Sequence, residues 1–366
     1  MNRLQSLRDH DQAIWLDYIR RDLLTGGGLA TMVAEDGVTG VTSNPAIFKQ
    51  AIGDSSLYDA ALEAMIDADP DASVMSLYEE LAVQDIRRAA DILSDVYETT
   101  AGADGFVSLE VSPHLARDTD GTIAEARRLW DWVERPNLMI KVPATAEGIP
   151  AIESLVAAGI NVNVTLMFSM AHYEAVAQAY LRGVARAADP SRVASVASFF
   201  VSRVDSKIDS LLEVDGSEAA KQLLGTIGIA NSKAAYARYQ ELFEGPGFAE
   251  LAAKGARPQR VLWASTSAKN PAYRDVLYVE ELIGPNTVNT IPPDTLEAFR
   301  DHGVSRPSLV EATEEAEAQL QSLAALGLDL GALTEELQQE GVEKFVKPFD
   351  SLLGTLSGKR DSLRAA

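Results

Sequence analysis

Eight short apolar runs, separated by segments with helical spacing, constrain the fold of this 366-residue chain more than any other feature. Apolar residues recur every three or four positions between the runs, for example at 76–100, 123–134 and 169–188. Runs that alternate with helices predict parallel strands joined by crossover helices. The runs are AIWLD (13–17), GVTGVTSN (37–44), GFVSLEVS (105–112), NLMIKVPA (137–144), INVNVTLMF (160–168), VASVASFFV (193–201), RVLWAST (260–266) and NTVNTIP (286–292).

The number of runs favours a closed barrel over an open sheet. Eight strand–helix units are typical of the (β/α)8 TIM barrel, so we predict an α/β fold of that class. An open, doubly wound parallel sheet is the alternative, because hydrophobic periodicity does not show whether a sheet closes.

The chain is predicted to be a single domain over residues 1–366, because no linker rich in Pro, Gly or Ser divides it. A segment at about 307–360 follows the eighth run and is amphipathic, with helical spacing in EATEEAEAQLQSLAALG and TEELQQEGVEKFVKPFDSLL. We therefore expect additional C-terminal helices that pack on the outside of the barrel or lie across one of its mouths.

Composition and charge exclude several classes of function. With 54 acidic and 32 basic residues, the net charge of −22 would repel nucleic acid and anionic membranes, so neither is expected as a partner. No cysteine is present, which excludes disulfides, thiolate metal sites and a cysteine nucleophile. The four histidines lie far apart and fit no metal-site spacing, so no metal is expected.

The N-terminal stretch, MNRLQSLRDHDQAIWLDYIRRD, has charges every few residues and no apolar segment of signal-peptide length. No apolar run approaches the ~18 residues that a membrane helix needs. We therefore expect a cytoplasmic protein, and the sequence leaves its oligomeric state open.

Lys141 lies inside the fourth apolar run, where a lysine is unusual because dehydration of an ammonium is costly. In a parallel barrel, the active residues lie at the C-terminal ends of the strands and in the loops that follow. Applied to the other runs, this rule selects Asp17; Thr42, Ser43 and Asn44; Glu110; Asn163 and Thr165; Ser198, Phe200 and Arg203; and Ser265, Ser267 and Lys269.

Each of these residues has a structural explanation when it is considered alone. Asp17 could cap the helix that follows it, and residues 43–45 could form an ordinary turn. Glu110 and Lys141 could form a purely structural ion pair. One lysine and two carboxylates on three strands of the same sheet end nevertheless favour a catalytic site.

A buried lysine at a strand end has a specific chemical use. Burial disfavours the ammonium form, so the pKa of such an amine can fall by several units from ~10.4. A free amine attacks a ketone and forms a Schiff base, which accepts electrons while a neighbouring carbon–carbon bond breaks. The chemistry needs an acid and a base, for which Glu110 and Asp17 are suited, while Asn44, Asn163 and Thr165 could hold substrate hydroxyls.

Five dispersed stretches resemble the transaldolase family, and they occur in that family's order over nearly the whole chain. The C-terminal EGVEKFVKPFDSLL (340–353) is similar to the longer bacterial branch of the family. The five stretches are GVTSNPAIF (40–48), SLEVSPHLARD (108–118), LMIKVPATAEGI (138–149), GINVNVTLMFS (159–169) and WASTSAKNP (263–271).

The resemblance implies a transferase of the non-oxidative pentose phosphate pathway, with sugar phosphates as substrates and no metal or organic cofactor. It implies a Schiff base on Lys141, proton exchange with a substrate hydroxyl by Asp17, and action of Glu110 with Thr165 and an ordered water in imine formation. It implies contacts to substrate hydroxyls by Asn44 and Asn163, with Thr42 in the same motif. Ser198 and Arg203 match residues near the phosphate end of the ketose.

The seventh run departs from the family pattern. Better-known members carry Ala-Ser-Phe-Arg-Asn there, and the arginine binds the phosphate, whereas residues 264–270 read Ala-Ser-Thr-Ser-Ala-Lys-Asn. Lys269, four residues after Ser265, could reach the phosphate as a point charge in place of a bidentate guanidinium. Arg203 and Lys269 are therefore the expected positive patch.

Two other functions remain open at this point. The first is a free aldolase, which is a lyase and would release dihydroxyacetone to water. Related aldolases carry a tyrosine where this chain has Phe200, and the apolar ring of Phe200 should exclude water. The greater length of this chain also favours the transferase. A barrel that has lost catalysis and acts as a scaffold is disfavoured, because every expected catalytic position has the right residue type.

Overall fold

Eight parallel strands close into a barrel in this computed structural model, which describes residues 2–365. Each strand pairs with the next along the chain, and the first pairs with the last. The predicted TIM barrel is therefore confirmed, and an open sheet is excluded. The strands are β1 (Gln12–Leu16), β2 (Val38–Val41), β3 (Phe106–Glu110), β4 (Leu138–Pro143), β5 (Val162–Met167), β6 (Ser195–Phe200), β7 (Arg260–Ala264) and β8 (Thr287–Ile291).

Helices surround the barrel and connect its strands. They are α1 (Arg21–Thr25), α2 (Gly28–Thr31), α3 (Pro45–Phe48), α4 (Asp59–Ala68), α5 (Val74–Ile92), α6 (Ser94–Thr99), α7 (Thr119–Val133), α8 (Gly148–Ala157), α9 (Met170–Val184), α10 (Ser202–Asp215), α11 (Glu218–Lys221), α12 (Ile227–Tyr239), α13 (Ala249–Ala253), α14 (Leu277–Glu280), α15 (Pro293–His302), α16 (Thr313–Ala325) and α17 (Leu330–Ala365). Short 3-10 or π-helical segments are Gln5–His10, Met32–Asp36, Lys49–Gly53, Pro113–Leu115, Pro190–Arg192, Gln240–Glu244, Pro246–Phe248 and Ser308–Val310. Across residues 2–365, no helix has both the length and the apolar composition needed to cross a membrane.

Successive side chains of a strand point alternately into the barrel and towards the helices, so each strand has two different faces. Met139 packs with Trp15 and Phe106 inside the barrel, whereas Ile140 belongs to the larger core that includes the surrounding helices. Lys141 is two residues after Met139 and therefore lies on the inner face of β4.

The two C-terminal helices pack in different places, and both locations considered for them occur. α16 packs against α12 on the outside of the barrel, whereas α17 crosses the mouth and contacts β5, α3, α5 and α10. The side-chain amide of Gln338 donates to the backbone oxygens of Ala144 and Leu166, at 2.9 and 3.1 Å. Lys359, nearer the end of α17, binds Asp59 at 2.6 Å. The long helix is thus fastened across the end of the barrel where the strands finish.

Gly40 lies beside Trp15 in the pairing of β1 and β2, and a Cβ at Gly40 would approach the Trp15 ring to 2.5 Å. Trp15 is fixed by its donation to Asp104 Oδ1 at 2.8 Å. We predict that Gly40→Ala lowers the free energy of unfolding by about 1–3 kcal/mol, the usual effect of overpacking. Gly354→Ala is the control, because a Cβ on this exposed residue of α17 contacts nothing within 4 Å. Equal urea midpoints for the two variants would contradict the prediction.

Candidate active site

The C-terminal ends of the strands surround a cavity of ≈ 170 Å³. Of the fourteen residues selected from the strand ends in the sequence, eleven line this cavity. The other three contact residues of the lining: Ser43 and Glu110 lie next to Lys141, and Asn163 binds Ser198. The lining residues are Asp17, Thr42, Asn44, Lys141, Thr165, Ser198, Phe200, Arg203, Ala264, Ser265, Ser267, Lys269, Thr290, Pro292 and Phe345.

Lys141 reaches the cavity from β4, where the strand register sets it beside Glu110 on β3 and Asn163 on β5. Its side chain is 7% exposed, and its Nζ donates to the backbone oxygen of Ser43 at 2.8 Å. Nζ also lies 3.6 Å from Glu110 Oε2, close enough for an ion pair but too far for a good hydrogen bond. An ammonium has three N–H donors and Ser43 accepts one, so the nitrogen can still reach a ligand in the cavity.

Glu110 is a buried carboxyl beside this amine. Burial raises the pKa of Glu110 to about 7, although the charge of Lys141 opposes the change. Oε2 has no hydrogen-bond partner within the described part of the chain. A buried carboxylate oxygen without a partner is unfavourable, and protonation of the carboxyl removes part of that penalty. Glu110 can therefore gain and lose a proton near neutral pH, next to Lys141.

Asp17 follows β1 directly and faces the end of β2. Thr42 Oγ1 donates to Asp17 Oδ1 at 2.7 Å, and Thr290 Oγ1 lies 2.6 Å from Thr42 Oγ1. Because the single hydroxyl proton of Thr42 goes to Asp17, Thr290 is the donor to Thr42. Burial raises the pKa of Asp17, and the charge of Lys141 only partly opposes the change. The capping explanation for Asp17 is wrong, because the N-cap of α1 is Arg20.

Asn163 lies on the inner face of β5 and is fully buried. Its Nδ2 donates to Ser108 Oγ at 3.0 Å, and its Oδ1 accepts from Ser198 Oγ at 2.7 Å. Thr165, two residues further along the strand, lines the cavity. Asn163 therefore orients Ser198, while Ser198 and Thr165 themselves line the cavity.

Asn44 combines a structural role with a place in the cavity wall. Its Oδ1 accepts from the backbone nitrogens of Ala46 and Ile47, at 3.0 and 3.1 Å, as the N-cap of α3. The structural role predicted for residues 43–45 is thus confirmed for the side-chain oxygen of Asn44. Capping leaves the two N–H donors of the Asn44 amide available at the cavity.

Two cations line the same cavity, Arg203 from α10 and Lys269 from the loop after β7. The guanidinium of Arg203 lies over Phe200, with Cζ 5.0 Å from the ring centroid. Burial lowers the pKa of Arg203, and Nη1 has no hydrogen-bond partner among residues 2–365. Lys269 Nζ donates to Ser267 Oγ at 2.6 Å. A buried guanidinium nitrogen without an acceptor, in a cavity that an ammonium also lines, is suited to an anionic ligand.

Thr290 and Phe345 line the cavity but were not selected from the sequence. Thr290 is two residues after Val288, which packs inside the barrel, so strand alternation alone sets Thr290 on the inner face at the end of β8. Phe345 lies on α17, and no sequence pattern indicated where that helix would cross the mouth.

The similarity of this chain to known proteins extends over the barrel and most of α17. The sequence profile of the Transaldolase/Fructose-6-phosphate aldolase family matches residues 14–356. A protein of Thiobacillus denitrificans named Transaldolase is 50% identical over 360 residues, which cover 97% of this chain and 100% of that protein. Transaldolases of Thermobifida fusca and Mycolicibacterium smegmatis are 48% and 46% identical, with 96% of each chain covered.

Stability should depend on pH through Glu110, whose pKa is about 7 in the folded state against an ordinary value of 4.5. Between these values the folded state binds more protons than the unfolded state, so it loses stability as the pH rises. Glu110→Gln does not titrate. The free energy of unfolding of Glu110→Gln minus that of wild type should therefore increase by roughly 1–3 kcal/mol from pH 5 to pH 8. Urea titrations at several pH values would measure this difference.

Glu63→Gln, at an exposed position on α4, is the control for the loss of one surface charge. A difference between Glu110→Gln and wild type that stays constant from pH 5 to pH 8 would contradict the prediction.

Proposed function

Because the chain belongs to the transaldolase/fructose-6-phosphate aldolase family, we propose that it transfers a dihydroxyacetone unit between sugar phosphates. The proposed reaction converts sedoheptulose 7-phosphate and glyceraldehyde 3-phosphate into erythrose 4-phosphate and fructose 6-phosphate, in the non-oxidative pentose phosphate pathway. Lys141 is the proposed covalent nucleophile. The observation that carries the proposal is its amine, which lines the cavity and lies 3.6 Å from the Glu110 carboxyl.

In the first step, the unprotonated Lys141 amine adds to the C2 carbonyl of the ketose, and the carbinolamine then loses water to form an iminium. Glu110 is proposed to protonate the departing hydroxyl. Its carboxyl is suited to this because burial raises its pKa to about 7. Thr165, whose side chain lines the same cavity, is proposed to position the departing water.

In the second step, Asp17 is proposed to take the proton of the C4 hydroxyl while the C3–C4 bond breaks. The electron pair of that bond moves to the iminium and forms an enamine, and the aldose leaves with a new aldehyde. Support comes from the Thr42 hydroxyl, which donates to Asp17 at 2.7 Å and holds the carboxylate in one orientation. The enamine then attacks an acceptor aldehyde, Asp17 returns the proton, and water releases the new ketose from Lys141.

The remaining lining residues are proposed to hold the sugar and its phosphate. Asn44, Thr42 and Ser198, the last held by Asn163, are suited to bind hydroxyls, because each has a hydrogen-bonding group at the cavity. Arg203 and Lys269, with Ser265 nearby, are the proposed phosphate site. A chain with a net charge of −22 needs such a local positive patch to bind an acidic substrate.

Fructose 6-phosphate aldolase is the second candidate, because the name of the matching family includes that activity. It would use the same Schiff base but release dihydroxyacetone to water. Transfer is favoured by the apolar ring of Phe200 in the cavity wall and by relatives that are named Transaldolase. Turnover that depends on an aldehyde acceptor distinguishes the transferase from the aldolase.

Incubation with fructose 6-phosphate followed by borohydride should label Lys141, because reduction converts a Schiff base into a stable secondary amine. Mass spectrometry of the digested protein would identify the labelled residue. Lys141→Met should abolish both labelling and transfer, whereas Lys221→Met, an exposed lysine on α11, should change neither. Labelling at another lysine, or no labelling although the substrate binds, would contradict the Schiff base on Lys141.

Substitutions at the proposed phosphate site should separate phosphorylated from unphosphorylated donors. Lys269→Met and Arg203→Met are each expected to raise KM for fructose 6-phosphate about 10- to 100-fold, because a charge-assisted contact contributes ~1.5–3 kcal/mol. Borohydride labelling by dihydroxyacetone, which has no phosphate, should change little. Lys269→Arg keeps the charge and is the matched control. Equal losses with both ligands would show that these residues do not bind the phosphate.

A further inference from the structure

Phe345 of α17 forms an apolar wall of the cavity from a distant part of the chain. Lys141 Nζ lies 5.9 Å from its ring centroid, and Arg203 Cζ lies 6.0 Å from the same centroid. Only 6% of Phe345 is exposed. The ring therefore lies beside both the amine and the cation, along the part of the cavity that a ketose joined to Lys141 would occupy.

Contacts on both sides of Phe345 hold the ring in this position. Before it, Gln338 donates to the backbone oxygen of Leu166 at 3.1 Å. Gly341 lets the helix approach the strand closely, since a Cβ there would lie 2.8 Å from Leu166 Cδ2. After it, Phe349 packs edge-on against another aromatic ring, with centroids 5.4 Å apart. These contacts hold the helix against the barrel on both sides of Phe345 and so keep its ring at the cavity wall.

We infer that Phe345 is a specificity-determining residue that favours transfer of the three-carbon unit to an aldehyde over its release to water. The inference rests on the proposed Schiff base at Lys141. Once the aldose has left, the enamine has two fates. In transfer, the nucleophilic carbon of the enamine bonds to the carbonyl carbon of the acceptor.

In release, the same enamine carbon takes a proton and gives back the iminium. Water then adds its oxygen to the iminium carbon, its two hydrogens pass to nitrogen, and the C–N bond breaks. The products are dihydroxyacetone and the Lys141 ammonium. Both fates end in hydrolysis of an iminium. They differ in whether the enamine carbon is first protonated or first bonds to an aldehyde.

A phenyl ring beside the amine supplies no proton and excludes the water that could supply one. Glu110, 3.6 Å from Nζ, remains available for the hydrolysis that ends each cycle. Phe200 on β6 contributes a second ring, packed against Phe168 with centroids 4.9 Å apart. The apolar cover is thus made by two rings from separate parts of the fold, and Phe345 is the one that lies beside both Lys141 and Arg203.

The ratio of dihydroxyacetone released to dihydroxyacetone transferred measures this partition, with fructose 6-phosphate as donor and erythrose 4-phosphate as acceptor. Phe345→Ala is expected to raise the ratio about tenfold or more, because it opens the cover to water. Phe345→Met, which keeps apolar bulk, should raise it less. Leu356→Ala truncates a buried side chain of the same helix that does not line the cavity, and it is the matched control, expected to stay near wild type.

An unchanged ratio in Phe345→Ala, with borohydride labelling of Lys141 intact, would overturn the inference and leave the proposed function standing. An equal rise in Leu356→Ala would also overturn it, because loosening of the helix rather than loss of the ring would then be responsible. If borohydride did not label Lys141 in the wild-type protein, the proposed function itself would be overturned. Phe345→Val replaces the alanine variant if the latter does not fold, and the ratio is again expected to rise.

Discussion

The burial of Lys141 inside the barrel constrains the residues around it. An ammonium that loses its water needs acceptors or negative charge nearby, because the dehydration penalty exceeds what packing alone supplies. The Ser43 carbonyl at 2.8 Å and Glu110 at 3.6 Å meet this need, and both come from strand ends that the barrel brings level with Lys141. Burial in turn raises the pKa of Glu110 to about 7 and that of Asp17 above its ordinary value. Glu110, one of the two groups that compensate the cation, is therefore also one of the groups best able to exchange protons.

The strands and the residues at their ends could be predicted because both signals are local. Strands covered on both faces have continuous apolar runs, and β4, β5 and β6 are buried at every position. Closure then brings the residues at the strand ends to one mouth. Asn163 shows the limit of this rule. It shares the inner face of β5 with Thr165 but lies deeper, so it supports Ser198 and does not line the cavity.

The course of α17 could not be predicted, because an amphipathic pattern shows which face of a helix is buried but not which surface covers it. α16 and α17 both have such patterns, yet one packs outside the barrel and the other crosses its mouth. The contacts that decide the location include the Gln338 amide and the backbone oxygens of Ala144 and Leu166. These oxygens are free to accept from Gln338 because of the local backbone geometry, and no side-chain pattern encodes that geometry. The place of Phe345 in the cavity wall follows from that geometry.

Two residues at the mouth have left-handed backbone conformations, Leu166 with φ 57° and Ser265 with φ 58°. Such a conformation costs roughly 1–2 kcal/mol for a residue other than glycine, so the surrounding contacts must maintain it. At Leu166, the pairing of β5 with β6 becomes irregular, and the Leu166 oxygen accepts from Gln338 of α17. At Ser265, the backbone oxygen accepts from Ser202 N at 3.1 Å, which joins the end of β7 to the start of α10. The strained residues thus help to fasten α17, which carries Phe345, and α10, which carries Arg203, to the mouth of the barrel.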